Sequence, residues 1–126
     1  MMGPSLLIVI NDVKIKEILK MAFRDEGYDV DFANNAEYAV QLGTTHDYMA
    51  ILIDLQEKSF NALQICNEIR AKKTKTRIIA MTGYNGIYGC EECHKAGFTT
   101  YFAKPYDVQD LIHMARNAIL GQINKF

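Results

Sequence analysis

A carboxylate, a hydroxyl and an ammonium group each come at the end of an apolar, strand-like run in this sequence. Asp54 ends the run that contains Ile51–Ile53. Thr82 follows Arg77–Met81, and Lys104 follows Thr100–Ala103. A carboxylate can act as a nucleophile and form a covalent intermediate. A hydroxyl and an ammonium group can position a charged group and stabilise its charge. The three residues therefore form a candidate reactive set, provided that the fold brings them together.

Each of these residues also has a simpler interpretation when it is taken alone. Asp54 can be a turn residue that leads the chain out of a strand. Thr82 can be a strand-end residue and Lys104 a solvated chain end. Tyr101, close to Lys104 in sequence, can be a core residue. The reactive interpretation depends on their convergence in space.

The composition is that of an ordinary globular domain and excludes several classes of function. Of the 126 residues, 49% are hydrophobic, and 14 basic against 15 acidic side chains leave a net charge of -1. This balance predicts no nucleic-acid or membrane partner. The longest apolar runs fall far short of the ~20 residues needed to cross a bilayer. With no signal-peptide pattern and three cysteines that form no disulfide framework, the sequence favours a reduced, cytoplasmic setting.

Strand-like and helix-like segments alternate along the whole chain. Strands are predicted at Leu6–Ile10, Tyr28–Phe32, a run ending at Asp54, Arg77–Met81 and Thr100–Ala103. Helical spacing follows each strand. Predicted helix signals are a capping box from Asn34 to Glu37, caps at Asn61 and Asp107, stops at Gly27 and Gly97, a helix over Ile87–Ala96 and a last helix ending near residue 122.

Five such units predict one α/β domain over residues 1–126, with a parallel sheet and helices on both faces. Sheets of this type bind ligands outside the carboxyl ends of their strands. Asn11-Asp12, Asp54, Thr82 and Lys104 all fall at such ends. The predicted fold therefore brings the reactive set to one edge of the sheet.

At these residues the sequence resembles a response-regulator receiver domain, the phosphoacceptor module of two-component signalling. The resemblance covers essentially the whole chain, and the intervals between Asn11, Asp54, Thr82 and Lys104 are typical of the family. "IIAMTG" and "AGFTTYFAKPY" resemble the fourth and fifth strands of the family. The resemblance implies a doubly wound, flavodoxin-like (βα)5 fold with strand order 2-1-3-4-5.

The resemblance also implies a role for each residue of the set. Asp54 would accept a phosphoryl group, Thr82 would contact it, Lys104 would pair with it and Tyr101 would report the switched state. Lys104-Pro105 would be a cis peptide, which X-Pro bonds tolerate at small cost. Phosphoryl transfer mainly requires positioning and charge stabilisation, which a lysine, a hydroxyl and Mg²⁺ supply.

The sequence departs from the family pattern after its first strand. Receivers usually carry two acidic residues there to hold Mg²⁺, whereas this chain has Ile10 and Asn11, followed by Asp12. Asp12 is either a metal ligand or the N-cap of the first helix. The implied ligands are Asn11, Asp12, Asp54 and the backbone carbonyl of Gln56, and we expect a weakened Mg²⁺ site.

The loop after Asp54 departs from the family as well. Lys58 stands where proline is usual, and Asn61-Ala62 replaces the usual Asp-Gly pair.

Haem, zinc and flavin are not expected. Cys90, Cys93 and His94 match the pattern of c-type haem attachment, but that chemistry requires export and a second axial ligand. A zinc site would need a second pair of ligands, and none is evident in the sequence. A flavin-binding protein of this fold class would need a Ser/Thr/Gly-rich loop after the first strand, where this chain reads Asn11-Asp12-Val13-Lys14.

We therefore expect a signalling receiver, not an enzyme, that takes its phosphoryl group from a histidine kinase or a phosphotransfer protein. It would act on a downstream protein through the face made by the fourth helix, fifth strand and fifth helix. No output domain is recognisable, so its effect would pass through a partner; a homodimer is compatible with the sequence. The alternative is a pseudo-receiver that binds proteins without control by phosphate.

Overall fold

The computed structural model describes residues 5–82, 90–103 and 108–120 of the chain. Strands and helices alternate throughout. The strands are β1 (Ser5–Val9), β2 (Asp29–Ala33), β3 (Ala50–Asp54), β4 (Arg77–Thr82) and β5 (Thr100–Ala103). The helices are α1 (Val13–Asp25), α2 (Ala36–Thr45), α3 (Ala62–Lys72), α4 (Cys90–Ala96) and α5 (Val108–Ile119). None of the helices in the described ranges is long and apolar enough to span a membrane.

The strands form one parallel sheet in the order β2-β1-β3-β4-β5, which confirms the predicted topology. In the centre of the sheet, Val9 of β1 pairs with Ile53 of β3, and Asp54 pairs with Met81 of β4. The central strand β3 is buried along its whole length. Because both faces of β3 are buried, Ile51 to Ile53 are successive apolar side chains and do not alternate with polar residues.

Helices cover both faces of the sheet, and each face has its own core. On one face, alternate residues of β1 and β3 pack against α2, α3 and α4. This core includes Leu7, Val9, Ile51, Ile53, Ala39, Ile65, Ile69 and Cys93. On the other face, the remaining strand residues pack against α1 and α5. This second core includes Leu6, Ile8, Ile10, Leu52, Leu19, Phe23 and Ile119.

Glycine ends two helices in the way that the sequence predicts. Gly27 follows α1 with φ of 90°, and Gly97 follows α4 with φ of 107°, a region that side chains disfavour. The N–H groups of Gly97 and Phe98 donate to the carbonyls of His94 and Cys93, at 3.1 Å each. This is the Schellman arrangement, which satisfies the last carbonyls of a helix.

The start of α2 differs by one residue from the prediction. Asn35, not Asn34, is the N-cap, and its Oδ1 accepts a hydrogen bond from the N–H of Tyr38 at 2.8 Å. Asn34 Oδ1 instead accepts from the Asn35 side chain. Two consecutive asparagines are equivalent caps in the sequence; the choice falls on the second because β2 continues to Ala33, one residue further than predicted.

The remaining helix signals divide into confirmed predictions and predictions outside the described residues. Asn61 caps α3, with its Oδ1 accepting from the N–H of Gln64 at 3.1 Å. The predicted start of the fourth helix at Ile87, the cap at Asp107 and the helix end near residue 122 lie outside the described residues.

The capping assignment predicts different effects for two neighbouring alanine substitutions. Asn35→Ala should lower the free energy of unfolding by about 1 kcal/mol, because it leaves the Tyr38 N–H of the first turn without its acceptor. Asn34→Ala, the matched control, should change it by less than half as much. Urea denaturation of the two variants measures the difference. Equal losses, or a larger loss for Asn34→Ala, would contradict the assignment.

Candidate functional site

The carboxyl end of β3 lies in the middle of one edge of the sheet. Because the strands are parallel, their carboxyl ends share this edge. The register places Asp54 beside Met81, so that Thr82 is the next residue along β4, and Thr82 in turn pairs with Ala103 of β5. The backbone of three neighbouring strands thus converges around Asp54.

Asp54 is a buried carboxylate, with only 3% of its surface exposed. Its Oδ1 accepts a hydrogen bond from the backbone N–H of Gln56 at 2.9 Å. A buried carboxylate is costly unless hydrogen bonds compensate for the lost water, and this bond does so while it fixes the side chain. The bond also spans the two-residue interval of an Asx turn, so Asp54 does lead the chain out of the strand, as the simpler interpretation predicts.

The loop after Asp54 is anchored by apolar residues at both of its ends. Leu55 and Phe60 are buried in the core shared by α2, α3 and α4. The Leu55 N–H donates to the Met81 carbonyl at 3.0 Å, which continues the pairing of β3 with β4. Between these anchors Lys58 is exposed, and residues 55–61 line a cavity of about 530 Å³. These anchors are not among the residues predicted from the sequence, although two apolar residues at the ends of a polar loop are a usable signal.

Ile10 does not face the site as an acidic residue at its position would. It is only 2% exposed and belongs to the core between the sheet and α1. Its N–H donates to the Ala33 carbonyl at 3.0 Å, which extends the pairing of β1 with β2. The position that usually carries an acid in the family is therefore part of the hydrophobic core.

Asp12 is the N-cap of α1. Its Oδ1 accepts hydrogen bonds from the N–H groups of Lys14 and Ile15, at 3.0 and 3.1 Å. These bonds satisfy two of the unpaired donors of the first helical turn. Of the two interpretations left open by the sequence, the structure shows the capping role.

The oxygen atoms at this edge fit Mg²⁺ in type but supply little charge. Asp54 contributes a carboxylate, Asn11 is exposed and has an amide oxygen, and Gln56 has a backbone carbonyl. Within residues 5–82, 90–103 and 108–120, no group of three or more His, Cys, Asp and Glu side chains is arranged to hold a metal. Mg²⁺ accepts one or two carboxylates together with waters, so these residues fit a site with a single dedicated carboxylate.

The structure locates the other predicted residues only in part. Tyr101 is half-buried and packs against the core that contains α3 and α4. Thr82 is placed by its backbone at the end of β4, and its side chain lies outside what the structure describes. Lys104 and Pro105, with the predicted cis peptide, lie outside the described residues.

Two of the three cysteines lie in the hydrophobic core. Cys66 and Cys93 are both buried in the core that contains α2, α3 and α4. Burial raises the pKa of the Cys66 thiol to about 12, so it stays protonated at neutral pH and is a poor nucleophile. His94, next to Cys93 in the haem-like motif, is exposed. The motif thus points one of its thiols into the core.

Comparison with known sequences supports the same family. Residues 6–116 match the model of the response regulator receiver domain. The chain is 28% identical over 111 residues to sporulation initiation phosphotransferase F of Bacillus subtilis. This alignment covers 88% of this chain and 90% of that protein. It is also 28% identical over 121 residues to the response regulator ArlR of Staphylococcus saprophyticus, covering 96% of this chain and 54% of ArlR. The chain thus spans about half the length of ArlR and of similar regulators.

Solved structures share the fold at lower identity. A CheY-like receiver domain protein from Methanospirillum hungatei JF-1 superposes with a TM-score of 0.79 at 22% identity, covering 94% of this chain and 95% of that one. A two-component response regulator from Clostridium difficile gives a TM-score of 0.78 at 24% identity, covering 98% and 100%. These structures share the fold, and the family model matched over residues 6–116 shows that the chain belongs to the response regulator receiver domain family of two-component signalling.

Proposed function

We propose that this receiver accepts a phosphoryl group on Asp54 from a phosphohistidine of a histidine kinase or phosphotransfer protein. The observation that carries the proposal is the buried, hydrogen-bonded carboxylate at the end of the central strand. In this step a carboxylate oxygen attacks phosphorus, the P–N bond to the histidine breaks and an acyl phosphate forms. The Gln56 N–H holds the carboxylate in a fixed orientation, which lowers the cost of positioning it for attack.

The surrounding residues have supporting roles in this proposal. Mg²⁺, when bound by Asp54, Asn11 and the Gln56 carbonyl, supplies charge neutralisation for the phosphoryl oxygens. Thr82 contacts the phosphoryl group and Lys104 pairs with it, roles that the family resemblance implies. In this proposal the group that the chain receives is bound covalently to its own Asp54, so the chain acts as a signalling module and not as an enzyme on an external substrate.

The surface beside the site suits a protein donor. Val13, the first residue of α1, is 70% exposed and follows Asn11 and Asp12 at the same sheet edge. An exposed apolar side chain next to a charged site provides contact area for a partner that presents a phosphohistidine. The name of the Bacillus subtilis relative, a phosphotransferase of sporulation initiation, agrees with such a transfer, which we place in the cytoplasm.

A pseudo-receiver is the second candidate, and one observation favours it. Ile10 is buried in the core at a position where the family usually has an acid. The site then has fewer carboxylates to hold Mg²⁺, and phosphorylation is slower or absent. In that case the same fold serves as a protein-interaction module that phosphate does not control.

The acceptor assignment predicts a specific loss. Incubation with acetyl phosphate and Mg²⁺ should add one phosphoryl group to the protein, measured by intact mass. The added mass should disappear in Asp54→Ala. It should persist in Asp12→Ala, the control, which removes an acidic residue from the same edge and a helix cap worth about 1 kcal/mol. Label retained in Asp54→Ala would reject the acceptor, whereas an unlabelled parent would support the pseudo-receiver.

The switch predicts where the protein responds to phosphate. A phosphoryl mimic such as beryllium trifluoride should draw Thr82 toward the new oxyanion and turn Tyr101 inward, which remodels the face made by α4, β5 and α5. Backbone NMR shifts should therefore cluster in residues 86–96 and 101–106. Asp54→Ala with the same mimic is the control. Shifts confined to α1 and α2 would contradict this switch.

The small number of carboxylates around Asp54 predicts weak Mg²⁺ binding, which one substitution should strengthen. Asn11→Asp should tighten Mg²⁺ by roughly one to two decades, since a charged ligand is worth about 1–3 kcal/mol. Asn34→Asp, the matched control, adds a carboxylate at the end of β2 on the same edge and should have a small effect. A Mg²⁺ titration compares them with the parent. Equal affinity in the parent and Asn11→Asp would show that the present oxygens already form a full site.

Restoring an acid at residue 10 should have a cost in stability as well. Ile10→Asp removes a buried side chain worth about 1.5–3 kcal/mol and places a carboxylate in the core. In metal-free thermal melts, Ile10→Asp should therefore be much less stable than Asn11→Asp. Similar melting temperatures for the two variants would show that residue 10 can turn out of the core.

A further inference from the structure

Arg70, near the end of α3, reaches across to the segment that joins α4 to β5. We call this segment, Gly97–Thr99, the α4–β5 junction. Arg70 Nε and Nη2 donate to the Gly97 carbonyl at 3.0 and 2.8 Å, and Nη2 also lies 3.3 Å from Thr99 Oγ1. Nη1 donates to the carbonyl of Lys73, the C-cap of α3, at 2.9 Å. One guanidinium therefore connects the end of one helix to the end of another.

The acceptors of Arg70 are all neutral oxygens, so the arrangement is not an ion pair. A planar guanidinium with several donors in a fixed fork suits such a set of carbonyls, whereas a single ammonium does not. Arg70 is half-buried, and burial lowers the pKa of its guanidinium. Hydrogen bonds to the carbonyls of Gly97 and Lys73 compensate for the cost of partly burying this cation.

The junction has little room to move against Arg70. A Cβ built on Gly97 would lie 2.8 Å from Arg70 Cγ and 3.1 Å from its Cβ. The Arg70 stem thus packs directly on the glycine that ends α4. On its other side the junction pairs with β4: the Thr99 N–H donates to the Ile78 carbonyl at 2.7 Å, and Thr99 Oγ1 accepts from the Ile78 N–H at 3.1 Å.

We infer that Arg70 is a positioning residue that fixes the α4–β5 junction to α3 and makes it the stationary end of the face made by α4, β5 and α5. This inference rests on the proposed function, which assigns the response to phosphate to this face; α4 and β5 are two of its three elements. The junction lies at the amino edge of the sheet and Asp54 at the carboxyl edge. When Asp54 is phosphorylated, α4 then moves while its C-terminal end stays fixed. Tyr101 lies two residues beyond the anchored Thr99.

Hydrogen exchange of the unphosphorylated protein tests the anchor directly. In Arg70→Met, the amides of Phe98 and Thr99 should exchange at least about tenfold faster, which corresponds to about 1.4 kcal/mol of local opening. Arg70→Lys should not restore protection, because it keeps the charge and loses the fork. The matched control is Lys73→Met. It removes a cation at the same end of α3, but the side chain of Lys73 pairs with Asp47 and not with the junction.

Global stability, measured by denaturant unfolding of the same variants, separates anchoring from general stabilisation. A merely structural role would speed exchange in α2 and at the junction by the same factor. The inference is overturned if Arg70→Met leaves exchange at residues 98–99 unchanged, if α2 changes as much, or if Lys73→Met produces the same local effect. Protection restored by Arg70→Lys would likewise overturn the role of the fork.

The phosphoryl mimic supplies a second readout that a structural role would not move. In the parent, shifts along α4 should decrease toward Gly97, and in Arg70→Met they should extend through Thr99. Parent shifts as large at Thr99 as at Glu91 would contradict a stationary junction. If the mimic produces no shifts in the parent, the proposed function fails while the exchange experiment still decides the role of Arg70.

Discussion

Parallel pairing of β1, β3 and β4 is the constraint on which the rest of the structure depends. It places β3 in the centre of the sheet, where helices bury both of its faces, and it brings the carboxyl ends of all five strands to one edge. A residue at the end of β3 then lies among the ends of its neighbours whatever its type. Asp54 occupies this position, and its burial requires hydrogen bonds such as that from the Gln56 N–H. The same packing that stabilises the sheet therefore holds the candidate acceptor in place.

At the end of β1, residue 10 can either pack in the hydrophobic core or carry a charge at the sheet edge, but not both. Ile10 lies in the core with Leu19 and Phe23, and its N–H extends the ladder to β2. An apolar residue there stabilises the fold and removes a charge from the edge. With fewer carboxylates the edge has less like-charge repulsion for a cation to relieve. The chain has thus gained core contacts at a place where the family usually keeps a metal ligand.

At the opposite edge of the sheet, two basic residues at the end of α3 connect elements of the fold. Arg70 links α3 to the α4–β5 junction, and Lys73 pairs with Asp47 before β3 at 2.6 Å. The pair with Lys73 lowers the pKa of the exposed Asp47 carboxyl. The two edges therefore differ: one carries the candidate acceptor Asp54, and at the other Arg70 and Lys73 link the end of α3 to neighbouring segments.

The sequence by itself determined the order of elements, their parallel arrangement and the edge at which Asp54 lies. These features follow from local signals: continuous apolar runs, helical spacing, and glycine or asparagine at helix ends. They are local because each depends on a few neighbouring residues and the backbone conformation that those residues permit.

The tertiary structure decided the features that depend on which residues meet across the fold. Asn35 rather than Asn34 caps α2 because β2 fixes where the chain leaves the sheet. Ile10 lies in the core and not in the site because α1 packs over it. Arg70 reads as an ordinary basic residue near a helix end in the sequence; only the approach of Gly97, distant in sequence, gives its guanidinium the carbonyls that it binds. Such contacts depend on the packing of whole elements, which no local pattern specifies.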